Sequence, residues 1–438
     1  MIEEIKNNKN KYTDKKEYSK FIIETFIKNK NILLKLTNKF KNNENNNELI
    51  SEFNEYKKYF YYALKKFSKY KLYGKDEINL DQAKNIKYYT IICNDKLKLE
   101  SFKIFIIFYY IESLIQKELY IPIDYEFNTK KIALMQINFE GVLFSKTIKS
   151  FIYILYPPDL DKDSNEFFIK NILCNNYIYK ILHGSDSLDI PYTYTELLEN
   201  NKDYIIEFTK KLVDTKYLCE YNHNDLNVKR KCKIKELLLE QKVITQKKYN
   251  DLEKNEEKMG KIYDIIIDIN NLSDELTKYS LYDVIYLKFL FQKFIEIDDK
   301  IYRNLIPDMT RYIYLSRRGI INFTEKFDKI IYVLNLGKIE EFEDNLNNIF
   351  NNILELLFDK VIMNIFNIDY FKKYFINLLK AITYDILIQF YTIIMPNNTQ
   401  FNGYINVSSI FIKLRELELF SIFNLLNKYK EDSIKYLA

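Results

Sequence analysis

Two acidic residues, Asp124 and Glu126, directly follow a short apolar run, Tyr120–Ile123, that we predict to be a strand. Alternate residues of a strand point to the same side, so both carboxylates should lie on one face of it. Two like charges side by side at the end of a buried strand are costly unless a cation neutralises them. The pair therefore predicts a divalent-cation site, although either acid taken alone could simply begin a turn.

A second acidic cluster follows another predicted strand, Tyr179–His183, and contains Asp186 and Asp189. Open α/β sheets bind their ligands at the ends of strands, so this position is suited to ligand contact. Asp189 directly precedes an apolar residue that we predict to enter a helix. Taken alone, Asp189 could be only a helix N-cap, a common role for aspartate.

A phenol and an acid occur together in a third cluster, where Tyr279 and Asp283 lie on a predicted long helix, Ser273–Phe294. Residues four apart share one face of a helix, so the two side chains should be presented together. Val284 and Leu287 then turn toward the core. A solvated helix face is the alternative interpretation of this pair alone.

The elements that carry these clusters alternate between strands and helices, which predicts an α/β domain with a mixed sheet flanked by helices. The other predicted elements of this region are strands at Tyr88–Cys93, Lys131–Phe139 and Phe151–Tyr156 and helices at Leu97–Lys117 and Glu166–Asn175. Residues before and after it have helical periodicity. We therefore predict three parts: a helical N-terminal extension (1–85), the α/β domain (86–298) and a helical C-terminal domain (299–438).

Three motifs, in this order along the chain, resemble those of the ribonuclease D family of DEDDy 3′–5′ exonucleases, over about residues 86–298. They are Asp124-Tyr125-Glu126-Phe127 followed by Leu134-Met135-Gln136-Ile137, then Lys180-Ile181-Leu182-His183-Gly184 with Asp189-Ile190, then Tyr279 to Leu287 as Tyr-x-x-x-Asp-Val-x-Tyr-Leu. A weaker family element is Val213-Asp214-Thr215. The second motif is one residue longer than is usual in the family, which leaves Asp186 as a rival to Asp189.

The resemblance implies a ribonuclease H-like fold and removal of nucleotides from the 3′ end of single-stranded nucleic acid, RNA being favoured over DNA. It implies that Asp124, Glu126, Asp189 and Asp283 hold two divalent ions, Mg²⁺ or Mn²⁺, and that Tyr279 orients the attacking water. Oxygen ligands of this kind suit those hard cations. The alternative is a catalytically inactive nucleic-acid-binding or scaffold protein on the same fold.

Composition narrows the class of protein without identifying its activity. The net charge of +5 permits a polyanionic partner but does not require one. No apolar run approaches the length that spans a bilayer, so we expect no membrane partner and a soluble, intracellular location: cytoplasm or nucleus, or host cytoplasm for a viral protein.

The cysteines, Cys93, Cys174, Cys219 and Cys232, form no close pair with metal-ligand spacing and are too sparse for a disulfide scaffold. We therefore predict no structural zinc site and a reducing compartment.

Overall fold

The chain folds into two compact units in the computed structural model. The first comprises Met1–Lys211 and Lys233–Phe291, and the second comprises Leu212–Cys232 and the chain from Gln292 onward. The structure describes residues 1–42, 47–141, 143–144, 147–185, 187–226, 230–299 and 301–316. Within those ranges, no helix combines the length and apolar character that crossing a bilayer requires.

The strands occur in the middle of the chain. They are β1 (Tyr70–Tyr73), β2 (Ile86–Ile92), β3 (Leu119–Asn128), β4 (Lys131–Phe139), β5 (Leu143–Phe144), β6 (Thr147–Leu155), β7 (Ile178–Leu182) and β8 (Leu212–Asp214).

The α-helices precede, alternate with and follow these strands. They are α1 (Ile2–Asn8), α2 (Lys15–Lys28), α3 (Lys30–Lys41), α4 (Asn47–Phe67), α5 (Gly74–Glu77), α6 (Lys96–Gln116), α7 (Lys162–Phe168), α8 (Asp189–Tyr192), α9 (Lys202–Thr209), α10 (Thr215–Asp225), α11 (Ile234–Glu240), α12 (Gln246–Met259), α13 (Asp274–Ile285), α14 (Leu287–Ile297) and α15 (Ile306–Ser316). Short π-helical segments follow α7 and α8 and precede α15, at Ile169–Leu173, Thr193–Leu197 and Ile301–Leu305.

The sheet of the first unit has the strand order β1-β2-β6-β4-β3-β7, and β5 pairs with β6. Strand β2 is parallel to β6 and β3 is parallel to β7, whereas β4 is antiparallel to both β3 and β6. This mixed sheet flanked by helices confirms the predicted α/β class. The more specific ribonuclease H-like arrangement stays a prediction, as do the boundaries of the three predicted parts.

One face of the sheet is apolar and is covered by α6. The side chain of Phe105 on α6 packs with Phe139 of β4 and Phe151 of β6, at ring-centroid distances of 5.0 and 5.3 Å. Helices α2, α3 and α4 of the N-terminal region pack in turn on α6, with the rings of Phe60 and Phe108 stacked 4.9 Å apart. The N-terminal helices thus share a core with the sheet in one unit.

The other face of the sheet is polar at its centre and is covered by α13. Strand β4 places Gln136 and Asn138 on this face, because alternate residues of a strand point to opposite sides. Helix α13 begins at an N-cap serine, Ser273, whose side chain accepts a hydrogen bond from the Leu276 amide. Near its end, the carbonyl of Val284 accepts a hydrogen bond of 3.1 Å from the Asn138 amide. These contacts hold α13 over the site-bearing strands β3 and β4.

The second unit is described over β8, α10, the end of α14 and α15. The hydroxyl of Tyr314 on α15 donates to a carboxylate oxygen of Asp214 at 3.1 Å, and the hydroxyl of Tyr302 donates to Asn222 on α10 at the same distance. Cys219 and Cys232 form a disulfide in this unit, with their Cα atoms 6.0 Å apart. The sequence did not predict this pair, because the two cysteines are 13 residues apart along the chain and only the fold brings them together.

Most predicted elements of the α/β region are present, with two informative differences. Strand β3 does not end before Asp124 but continues to Asn128, so the first acidic pair lies inside the strand. The predicted helix Ser273–Phe294 is two helices that meet at Tyr286. The predicted helices between residues 317 and 438 lie outside the described residues.

Candidate metal centre

Strand β3 presents the first pair of carboxylates. Asp124 and Glu126 alternate with Ile123 and Tyr125, so both point to the face that α13 covers, and Glu126 is only 8% exposed. A register shift, a β-bulge, follows between Glu126 and Phe127. Bulges of this kind re-aim side chains and are common beside functional sites. The strand therefore carries one buried and one half-buried acid where an ordinary core strand would carry apolar groups.

Helix α13 brings the third carboxylate to the same place. Asp124, Glu126 and Asp283 each offer a carboxylate oxygen, and these oxygens all lie within 4.8 Å of one another. Oxygens held that closely are suited to a shared hard cation such as Mg²⁺ or Mn²⁺. The structure thus brings together three of the four predicted ligands from distant parts of the chain.

Tyr279 lies one helical turn before Asp283, on the same face of α13. The negative charge of Asp283, then burial, raises the pKa of the Tyr279 hydroxyl far above its usual range. The phenol therefore stays protonated and can act only as a neutral hydrogen-bonding group. The structure places Tyr279 at the carboxylate cluster, as the helical spacing predicted.

Asp189 lies near the cluster but is not one of its three converging members. It is the first residue of α8, and its charge helps to raise the pKa of Glu126. The preceding turn depends on Gly184, whose φ of 68° is in the left-handed region that favours glycine. The rival acid, Asp186, lies outside the described residues.

The converging carboxylates are electrostatically strained when no cation accompanies them. Burial raises the pKa of Asp124 to about 7. Burial, followed by the charges of Asp124, Asp283 and Asp189, raises the pKa of Glu126 well above its usual range. Burial and the charge of Asp124 do the same to Asp283. Buried carboxylates that must ionise together need a cation or protons, so the donor set fits one or more divalent ions.

Two further polar residues at the site were not predicted. Gln136 is fully buried and its amide lies 3.4 Å from Glu126 Oε1, while its own carbonyl oxygen has no hydrogen-bond partner among the described residues. Lys235 on α11 pairs with Glu256 at 2.7 Å, and its positive charge partly offsets the rise in the pKa of Asp283. Gln136 could have been predicted, because polar residues alternate with apolar ones in β4 and because it lies in the first motif. The run 229–260 is so rich in charge that no pattern distinguished Lys235.

A cleft of about 580 Å³ is lined by chain neighbours of the site residues and by none of the four acids themselves. Phe127, next to Glu126, and Tyr192, at the end of α8, line it with their rings 5.9 Å apart. Lys130 and Lys131 supply positive charge to the same cleft, which Leu188, the chain neighbour of Asp189, also lines. Its size falls in the range of small-molecule sites, and it combines flat apolar groups with cations.

The carboxylate cluster predicts how pH changes the stability of the metal-free protein. The folded state holds protons on Asp124, Glu126 and Asp283 at pH values where the unfolded chain has lost them, because their folded-state pKa values are raised. Stability should therefore fall as the pH rises from about 5 to about 8. We expect the melting temperature in EDTA to drop by several degrees across this window.

The melting temperature of the Asp124→Asn variant should depend less steeply on pH. Adding Mg²⁺ or Mn²⁺ should raise the melting temperature of the wild type most at the high-pH end of the window. The exposed Asp203, at the start of α9, provides the matched control variant Asp203→Asn. Equal slopes for the wild type, Asp124→Asn and Asp203→Asn would contradict the prediction.

Comparison with known proteins identifies a viral relative of this chain. No family model matches the sequence. The chain is 32% identical over 388 residues to the uncharacterized protein L533 of Acanthamoeba polyphaga mimivirus. The match covers 82% of this chain and 75% of that protein.

Proposed function

We propose that this chain, which belongs to the same family as the uncharacterized protein L533 of Acanthamoeba polyphaga mimivirus, is a metal-dependent 3′–5′ exonuclease acting on single-stranded nucleic acid. The observation that carries the proposal is the convergence of Asp124, Glu126 and Asp283, with Tyr279 one helical turn before Asp283. The name of the relative states no activity, so the proposal rests on the site and on the order of the three motifs.

The carboxylate cluster fits the ions that phosphodiester hydrolysis uses. Asp124, Glu126 and Asp283 would hold them, with Asp189 as the fourth protein ligand. Two divalent ions about 4 Å apart supply an activated water and neutralise the charge of the leaving oxygen. Mg²⁺ and Mn²⁺ prefer such oxygen ligands, whereas zinc sites more often use nitrogen and sulfur.

Tyr279 would position the attacking water rather than take its proton. The raised pKa of its hydroxyl excludes a phenolate near neutral pH, so the group is a hydrogen-bond donor or acceptor only. Its position one turn before Asp283 on α13 presents the phenol beside the carboxylate cluster. A water held between the phenol and a carboxylate would be oriented toward a phosphate without further rearrangement.

We further propose that the cleft lined by Phe127 and Tyr192 binds a nucleotide of the strand. Phe127 and Tyr192 offer aromatic faces on which a base could stack. Lys130 and Lys131 could neutralise the phosphates of a strand. Base stacking of this kind tolerates any sequence, as an enzyme that removes successive nucleotides requires. RNA is the first substrate to test, because the resemblance to the ribonuclease D family favours it.

The direct test is a cleavage panel with purified full-length protein. Single-stranded RNA, single-stranded DNA and duplexes, each labelled at the 5′ end, are incubated with Mg²⁺, Mn²⁺ or EDTA. We expect a ladder of products that shorten stepwise from the 3′ end of single strands, and no shortening in EDTA. A 3′-phosphate-blocked strand serves as a substrate control and should resist shortening.

Binding of single strands without cleavage in either metal would instead support the alternative, a nucleic-acid-binding protein on the same fold. One observation favours that alternative: Asp189 is not among the three converging carboxylates. Internal cuts or cleavage in EDTA would contradict the exonuclease proposal directly.

A further inference from the structure

A second group of metal-binding side chains lies in the second unit, and nothing in the proposed exonuclease chemistry uses it. Helix α10 carries Cys219 and His223 one turn apart, so both point to the same side of the helix. The segment before α11 returns Cys232 to the same point. Cys219 is fully buried and His223 is 4% exposed, so the group forms a built site and not a chance surface pair.

Each sulfur lies at the distance from the histidine that ligands of one tetrahedral ion have, whereas the two sulfurs are bonded to each other and must separate on reduction before both can bind. His223 Nδ1 lies 3.7 Å from Cys219 Sγ and 3.6 Å from Cys232 Sγ. Bonds of about 2.3 Å to sulfur and about 2.0 Å to nitrogen in a tetrahedron give a sulfur–nitrogen separation of about 3.6 Å. The observed distances match this edge, and a disulfide alone would not require a histidine there.

We propose that the reduced chain binds one Zn²⁺ ion through Cys219, His223 and Cys232. Two thiolates and an imidazole form a soft donor set that selects zinc over Mg²⁺ or Mn²⁺. A site with three protein ligands holds zinc with a water or another small ligand in the fourth position. This donor set is chemically distinct from the carboxylate cluster of the first unit, so the two would take different metals.

The histidine has a backbone partner that can orient it for binding. His223 Nδ1 lies 3.4 Å from the carbonyl oxygen of Arg230. Nδ1 faces both sulfurs and Nε2 lies 3.8 Å from Cys219 Sγ, so either ring nitrogen can be the ligand atom; the Arg230 carbonyl orients the ring when Nε2 binds the ion and Nδ1 carries the proton. Such a second hydrogen bond fixes the tautomer and raises the basicity of histidine ligands.

The disulfide and the zinc site exclude each other, because a sulfur bonded to sulfur is not a thiolate. The structure joins Cys219 and Cys232, and their Cα separation of 6.0 Å is within the range of disulfides. A phosphine reductant and one water convert this bond to two thiols: the S–S bond breaks, phosphorus gains the oxygen, and each sulfur gains a proton. Zinc binding then displaces both thiol protons. Redox state therefore decides whether the site can hold the ion.

The test uses full-length protein reduced with a phosphine in metal-free buffer and titrated with Co²⁺ as a spectroscopic substitute for Zn²⁺. The readout is thiolate-to-cobalt charge-transfer absorption, which the carboxylate cluster cannot produce. We expect the reduced wild type to develop this band, to lose it when Zn²⁺ is added, and to retain about one zinc ion per chain against a weak chelator. The oxidised wild type, with the disulfide intact, is a control of the same sequence and should give no band.

Variants separate the proposed ligands from the other cysteines. Cys232→Ser and His223→Ala should each weaken metal binding by at least about 100-fold. Cys93→Ser combined with Cys174→Ser should leave it unchanged. A reduced wild type without the charge-transfer band, or a band that persists in Cys232→Ser, would overturn the proposal. Neither readout depends on nuclease activity, so failure here and failure of the proposed function are distinguishable.

Discussion

Replacing Asp283 with asparagine should lower metal-dependent cleavage by roughly 1,000-fold or more, an effect typical of removing a central catalytic group. Asparagine keeps the shape of the side chain but removes the negative charge that, with Asp124 and Glu126, would hold the ions. The loss should appear mainly in kcat at saturating metal. Initial rates on a 5′-labelled single strand, measured across a Mn²⁺ titration, check this.

Folding must be separated from catalysis in this comparison. The substitution relieves repulsion among buried acids, so Asp283→Asn should melt no lower than the wild type in EDTA. Asp203→Asn, an exposed change of the same kind on α9, should cleave at the wild-type rate. Stepwise shortening that persists undiminished in folded Asp283→Asn protein would exclude the carboxylate cluster as the active site.

Replacing Tyr279 with phenylalanine should lower kcat by about 100-fold, at the lower end of what positioned proton-handling groups contribute. The change removes only the hydroxyl that lies near Asp283 and would orient the water. The ring and all carboxylates remain, so the Mn²⁺ concentration that gives half-maximal rate and the KM for the strand should change little. Single-turnover cleavage rates with excess enzyme measure this directly.

The exposed Tyr263, of which 75% is accessible to solvent, supplies the matched control Tyr263→Phe, which should be silent. The pH profile gives a second readout. Because the Tyr279 hydroxyl stays protonated, its removal should lower the cleavage rate equally at every pH and leave the shape of the rate–pH curve unchanged. A variant that loses metal affinity instead of kcat would show that Tyr279 supports Asp283 and does not position water.

The sequence predicted the α/β class because periodicity reports burial well. Strand β4 has the predicted bounds, Lys131–Phe139, since its apolar run is flanked by turn residues. Strand β3 was predicted to end at Ile123, because charged residues rarely continue inside a core strand. The site is where local rules fail, as is expected of functional positions. The pairing of Tyr279 with Asp283 was predictable because both lie on one helix.

Other features depended on contacts between distant segments and had no local signal. Lys235 lies in a charged stretch in which every lysine resembles its neighbours, and only the packing of α11 and α12 brings it near Asp283. Cys219 and Cys232 appeared too far apart along the chain for a metal site, and His223 was considered apart from them. The turn of α10 and the return of the chain to it unite the three.

The side-chain amide of Asn138 donates a hydrogen bond to the carbonyl of Val284 and so helps to position the proposed metal ligand beside it, although Asn138 is not a ligand itself. Val284 directly follows Asp283, so a neutral amide on β4 sets the height of that carboxylate above the sheet. Asn138 also donates to Glu140 at 2.8 Å, which fixes the amide itself. Ion selectivity depends on ligand spacing to within a few tenths of an ångström. If the carboxylate cluster holds ions as proposed, a change at Asn138 would alter which cation it prefers while every acidic ligand stays the same.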